Sequence, residues 1–106
     1  MRLKRDNDTR RKWFKCFLAG HNFPGLLVNE SQPVGFYTTR FVKASSLELA
    51  KSEVLRVVGK DKRLRLPEGM IMPPEAVLLI EEIVEIEISD TRQNEDGFVW
   101  YEMDTH

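Results

Sequence analysis

Cys16 and His21 are the first residues to weigh for chemistry, because a thiol and an imidazole five residues apart could make a nucleophile and its base. Cys16, however, sits between Phe14 and Leu18 in a stretch that alternates as a strand. A cysteine in apolar surroundings is a small hydrophobe with an unreactive thiol. The other histidine, His106, is the last residue, and one cysteine with two histidines makes no zinc-ligand spacing. Gly20 to Gly25 has neither the lysine nor the following helix of a phosphate-binding loop. Glu81, Glu82, Glu85 and Glu87 lie in an alternating stretch, the pattern of a solvated or salt-bridged strand face rather than of an acid–base pair. The chain therefore reads as a non-enzyme with no metal and no cofactor.

Binding is the better-supported chemistry. Residues 1–15 hold seven Lys/Arg against two Asp, a local charge of +5, whereas residues 81–106 hold nine Asp/Glu against Arg92, or −8; the whole chain is −1. Such asymmetry suits an interacting tail or complementarity between the two ends. Arg10, Arg11 and Lys12 run into Trp13 and Phe14, and Arg40 and Lys43 lie near Tyr37 and Phe41. Cations beside strand aromatics can hold a phosphate backbone while bases stack. Against that reading stands the acidic stretch 81–87, which would repel phosphate from the same sheet.

These residues must be positioned by a small set of elements. Trp13 to Ala19 alternates as a first strand, Gly20 to Gly25 reads as a turn, and Leu26 to Val28 as a brief strand extension. Gly35 to Ala44 is a second strand rich in β-branched and aromatic residues, with Phe36, Thr38, Arg40, Val42 and Ala44 on one face. Ser45 to Glu48 fits a capping box. Leu47, Ala50, Val54, Val57 and Val58 then form an apolar helical stripe that Gly59 ends in a left-handed conformation. Residues 61–75, with Pro67, Gly69, Pro73 and Pro74, form an apolar connector. From Glu81, Val84, Ile86 and Ile88 alternate with Glu85 and Glu87 as a half-buried strand, while 76–81 fit either strand or helix. A polar turn at 90–97 leads to a last strand over 98–103. The reading is an α+β fold, β-β-α-β-β: a mainly antiparallel sheet of about four strands with one helix on one face. The strands before and after the helix could be parallel neighbours. Residues 1–12 form a basic arm and 13–104 a single domain.

One helix leaves one sheet face without cover. That face would carry Trp13, Lys15, Phe17, Tyr37, Phe41 and Lys43, opposite Ile83, Glu85 and Glu87. Four aromatics there would expose more apolar surface than a monomer ordinarily leaves bare. Either the 61–75 connector or the N-terminal arm lies over the face, or a partner does. A symmetric homodimer would be self-complementary if Lys15 and Lys43 met Glu85 and Glu87 across subunits, and a different protein partner would serve equally. A single cysteine needs no oxidising compartment, no apolar run is long enough to span a membrane, and no secretory segment opens the chain. The expectation is a cytoplasmic protein.

The run Gly35-Phe36-Tyr37-Thr38-Thr39-Arg40-Phe41-Val42, followed by Ser45-Ser46-Leu47-Glu48-Leu49-Ala50-Lys51 and preceded by Asn22-Phe23, resembles small bacterial proteins of unknown function. The likeness covers about the middle half of the chain and implies no activity or site residues. The strand-to-helix pattern is also loosely similar to HicB-type antitoxins, which implies a sheet with a helix that binds a small toxin. Residues 60–106 are not expected to form the DNA-binding addition of such antitoxins.

Overall fold

The computed structural model describes residues 10–87 and 97–103. Its elements are β1 (Lys12–Phe23), β2 (Val34–Ala44), α1 (Leu47–Gly59), β3 (Val77–Ile86) and β4 (Phe98–Glu102), with single 3-10 turns at Gly25–Val28 and Lys62–Leu64. The sheet order is β3-β1-β2-β4, and every neighbouring pair is antiparallel. The α+β class and the one-helix, four-strand arrangement agree with the sequence reading. The strands flanking the helix are not neighbours: β1 lies between β2 and β3, so the helical connection crosses over it.

The β1–β2 hairpin runs further than its turn residues suggest. Gly20 to Phe23 remain in β1, with an irregularity between Gly20 and Phe23 and Asn22 at φ 61°. Asn tolerates that left-handed conformation better than most residues. Leu26 to Val28 form the 3-10 turn rather than strand, and Asn29 at φ 63° closes it, with its N–H bonded to the carbonyls of Gly25 and Leu26. The helix begins one residue later than the capping box implies. Ser46, not Ser45, is the cap; its hydroxyl accepts the Leu49 N–H at 3.2 Å, while Glu48 turns to Lys51. Gly59 is the last helical residue, and Lys60 follows at φ −97°, so no left-handed residue ends α1.

The core lies on one side of the sheet. Phe14, Cys16 and Leu18 of β1 and Phe36, Val42 and Ala44 of β2 meet Ala50, Val54 and Val58, the inward stripe of α1. Leu47 from the expected stripe stays exposed and Val57 is half-buried. The 61–75 connector extends this same core: Leu64 is buried, and Met72 with Ala76 packs against the cluster. It packs on the helix side of the sheet and not over the opposite face. Residues 76–81 resolve as strand from Val77 onward. Residues 1–9 of the expected arm at 1–12 and residues 90–96 of the expected turn at 90–97 lie outside the described residues, and Lys12, expected in the arm, belongs to β1.

Gly20 shows how tightly the hairpin end packs. A Cβ there would overlap the ring of Phe36, which is fully buried and cannot yield. Overpacking of that kind costs about 1–3 kcal/mol. We expect Gly20→Ala to lower the urea unfolding free energy by that amount, with an unchanged m-value, measured by circular dichroism.

Candidate interaction face

The sheet face away from α1, which no described segment covers, is built by strand alternation. Residues directly opposite in a ladder point to the same side of the sheet. Trp13 pairs with Lys43, Lys15 with Phe41, Phe17 with Thr39 and Ala19 with Tyr37, all on the side away from α1. Phe17 and Tyr37 stack with ring centroids 5.4 Å apart, and Tyr37 meets Tyr101 of β4 at 5.1 Å. Tyr101 lies over Gly35, where a Cβ would overlap its ring, so glycine is what lets the tyrosine lie down on the sheet. Burial first, and then the neighbouring Tyr37, push the pKa of the Tyr101 hydroxyl upward. An aromatic row thus crosses three strands. Lys43 rests over the Trp13 ring at 5.6 Å. The Trp13 indole N–H is buried with no hydrogen-bond partner among the described residues.

The fourth strand differs from the sequence reading. The β1–β3 register shifts between Phe17 and Leu18, where β3 spends one extra residue at Glu81–Glu82. A bulge of this kind reverses which side chains face which way. Leu78 and Ile80 face the core before it; after it Ile83 sits opposite Cys16 and Glu85 opposite Phe14, on the helix side. Ile83 and Glu85 are therefore not part of the bare face, and Glu87 lies just past the end of β3, exposed to solvent. In their place the face carries Val77, Leu79, Glu82, Val84 and Ile86. Val99 of β4, opposite Tyr37, is 66% exposed. The expected match of Lys15 and Lys43 to Glu85 and Glu87 is thereby lost. Two adjacent glutamates in an otherwise apolar run are the one sign in the sequence that could have marked the bulge.

The residues weighed for nucleic acid divide. Arg10 and Arg11 are exposed just before β1. Lys12 makes a long 3.9 Å pair with Glu85 on the helix side, between half-exposed groups, which contributes little. Arg40 is not available to any ligand. It is 7% exposed and points beneath the helix side, where its guanidinium donates to Asp61 Oδ2 at 2.9 Å and its Nε to Thr38 Oγ1 at 3.2 Å. Thr38 in turn donates to the Gly97 carbonyl at 2.8 Å. Asp61 also accepts the Arg63 guanidinium, at 2.7 and 2.9 Å, and the Arg63 backbone N–H at 2.8 Å. Both guanidinium groups lie against the Phe98 ring, Arg63 at 4.6 Å and Arg40 at 5.4 Å. Sequence reading took Arg40 for a binding residue and missed its role, because its partner is twenty-one residues away in an irregular connector.

The candidates for catalysis stay apart. Cys16 is fully buried, and that burial pushes its thiol pKa up to about 11, the opposite of what a nucleophile needs. His21 lies about 16 Å along the same strand, opposite Val77. Among the described residues no group of three or more His, Cys, Asp or Glu comes together to hold a metal, and no helix is long and apolar enough to cross a membrane. No family model, no curated protein and no solved structure matches the chain.

The Asp61 cluster has a measurable signature. The Arg63 hydrogen bonds, and after them Arg40, hold the Asp61 carboxyl far below the ordinary carboxylate range. A depressed folded-state pKa means stability that is fully present above the unfolded value of about 4 and is lost as pH falls below it. Asp61→Asn would leave a buried guanidinium without its counter-charge, at a cost of about 3–5 kcal/mol. We expect urea titrations between pH 7 and pH 2 to show wild type losing stability below about pH 4, with Asp61→Asn less stable at pH 7 and its acid-limb slope shallower.

Proposed function

We propose that this is a non-catalytic interaction module that self-associates through the face of the sheet turned away from α1. The observation that carries the reading is the apolar aromatic surface left on that side. The four strands have 12, 11, 10 and 5 residues; at about 3.3 Å per residue and about 4.8 Å between strands they tile about 600 Å2. That projected area is compatible with the accessible surface one partner gives to a standard interface, about 800 Å2. Tyr37, Val77, Leu79, Val84 and Val99 are the exposed apolar residues across it. Aromatic side chains are the common anchors of such contacts. Lys15, Lys43 and Glu82 share this face, so a two-fold arrangement that pairs the lysines of one copy with Glu82 of the other would answer the charge requirement that Glu85 and Glu87 no longer meet.

A single-stranded nucleic acid is the second reading, and the bulge favours it by taking Glu85 off the face while Lys15 and Lys43 remain beside Trp13, Phe17 and Tyr37. In that case bases would stack on the rings and the lysines would meet phosphates.

Sedimentation equilibrium over a range of concentrations separates the two. Self-association through this face predicts a wild-type dimer, and folded monomers for Tyr37→Glu and Val99→Glu. A wild-type monomer whose tryptophan fluorescence is quenched by oligo-uridylate, with affinity falling at higher salt by about 0.7 log units per log unit for each phosphate contacted, would replace self-association with the nucleic-acid reading. A dimer that survives both substitutions would place the interface elsewhere.

A further inference from the structure

A second surface lies on the helix side of the sheet, independent of the bare face. The 3-10 turn at Gly25–Val28, the segment from Lys62 to Pro67 and Trp100 of β4 enclose an open groove of about 590 Å3. That is the size range of sites that take a ligand or a peptide anchor. Its floor is apolar: Leu27, Val28 and Trp100 are half-buried and continuous with the core, and Leu66 lines one wall. Its rim is cationic. Lys62 and Arg65 are exposed and make no ion pair with any described residue, whereas Arg63 between them is engaged by Asp61.

The walls are held in place before anything binds. Asp61 caps the Lys62–Leu64 turn through the Arg63 N–H, and the buried Arg40 anchors Asp61 to β2. Glu30 N–H to Gly25 O at 2.8 Å closes the facing turn. Trp100 is fixed by tilted contact with Phe36, centroids 5.1 Å apart, and by stacking on Phe98 at 5.6 Å. A preformed site loses less freedom on binding than one that must be ordered by its ligand.

We propose that this groove is a docking site for an acidic segment of a partner protein that inserts a leucine or phenylalanine side chain over Trp100 while its carboxylates meet Lys62 and Arg65. The two chemistries point to one occupant. An apolar floor alone would take any hydrophobe, and a cationic rim alone would take any anion. Together they select a chain that alternates carboxylates with large apolar groups. Among the described residues β4 is the outermost strand of the sheet and pairs only with β2, which places the groove at the sheet margin.

Fluorescence anisotropy tests this with a fluorescein-labelled short peptide alternating Asp and Glu with Leu and Phe. We expect micromolar binding to wild type, weakened about tenfold or more by the double variant K62E/R65E, a change of the size that loss of two close charge contacts produces. Lys62 and Arg65 are exposed and make no ion pair with any described residue, so the variant should keep its circular dichroism spectrum; Lys62→Ala, a milder change, should weaken binding by about threefold. Lys51→Glu, on α1 and outside the groove lining, should leave binding unchanged. Equal binding by wild type and K62E/R65E would overturn the proposal, as would no binding at about 1 mM. So would equal affinity for an all-Glu peptide, which would make the rim a general anion patch. Loss of self-association in K62E/R65E, with no peptide binding, would assign the groove to a second copy of the chain instead.

Discussion

A helix about 10 Å across cannot cover a four-stranded sheet about 19 Å wide. This mismatch governs the architecture. α1 buries Ala50, Val54 and Val58 over the central strands, and the rest of the helix-side core must be closed by segments with little secondary structure of their own. Leu64, Met72 and Ala76 do this on the connector, Leu27 and Val28 on the hairpin turn. Irregular chain has few internal hydrogen bonds to hold it, so it needs an anchor. Arg40, Asp61 and Arg63 provide one, tying the connector to β2 and, through Thr38 and the Phe98 ring, to the margin of β4. The charge in the core is tolerable because every member is paired; breaking one partner would leave a buried cation.

With these segments on one side, the other side is formed, among the described residues, by the strands alone. There the side chains cover one another as far as they can. Phe17 stacks on Tyr37 and Tyr37 meets Tyr101 at a tilt, a row across three strands, with Tyr101 flattened over Gly35 and Lys43 drawn over Trp13. This arrangement reduces exposed apolar area without removing it, as the exposure of Tyr37, Leu79, Val84 and Val99 records. The bulge at Glu81–Glu82 adds to the effect by turning Val84 and Ile86 outward and Ile83 inward. An apolar face that the fold itself generates is a stronger reason to look for association than a scatter of surface hydrophobes.

The two surfaces are of different kinds. The sheet face away from α1 is broad and carries an aromatic row, suited to a second copy or to stacked bases. The groove beside Trp100 is concave, with cations at its lip, and suits a single extended chain. Their separation on opposite sides of the sheet means that charge substitutions on one can be read without disturbing the other.

Much of the fold was legible in the sequence because it rests on local periodicity. The alternation of Phe36, Thr38, Arg40, Val42 and Ala44 against Tyr37, Thr39, Phe41 and Lys43 assigned both faces of β2 correctly. The spacing of Ala50, Val54 and Val58 marked the buried stripe of α1, and a single helix on four strands already implied a bare face. What only the tertiary structure decided depends on contacts between distant residues. The facing of β3 follows from where an extra residue is accommodated against β1, and a shift of one residue reverses every side chain beyond it. The fate of Arg40 follows from Asp61, which is brought to it by the path of the connector. Strand pairing order, bulge position and the pairing of buried charges are all non-local. Alternation along one strand is local, and a sequence records it directly.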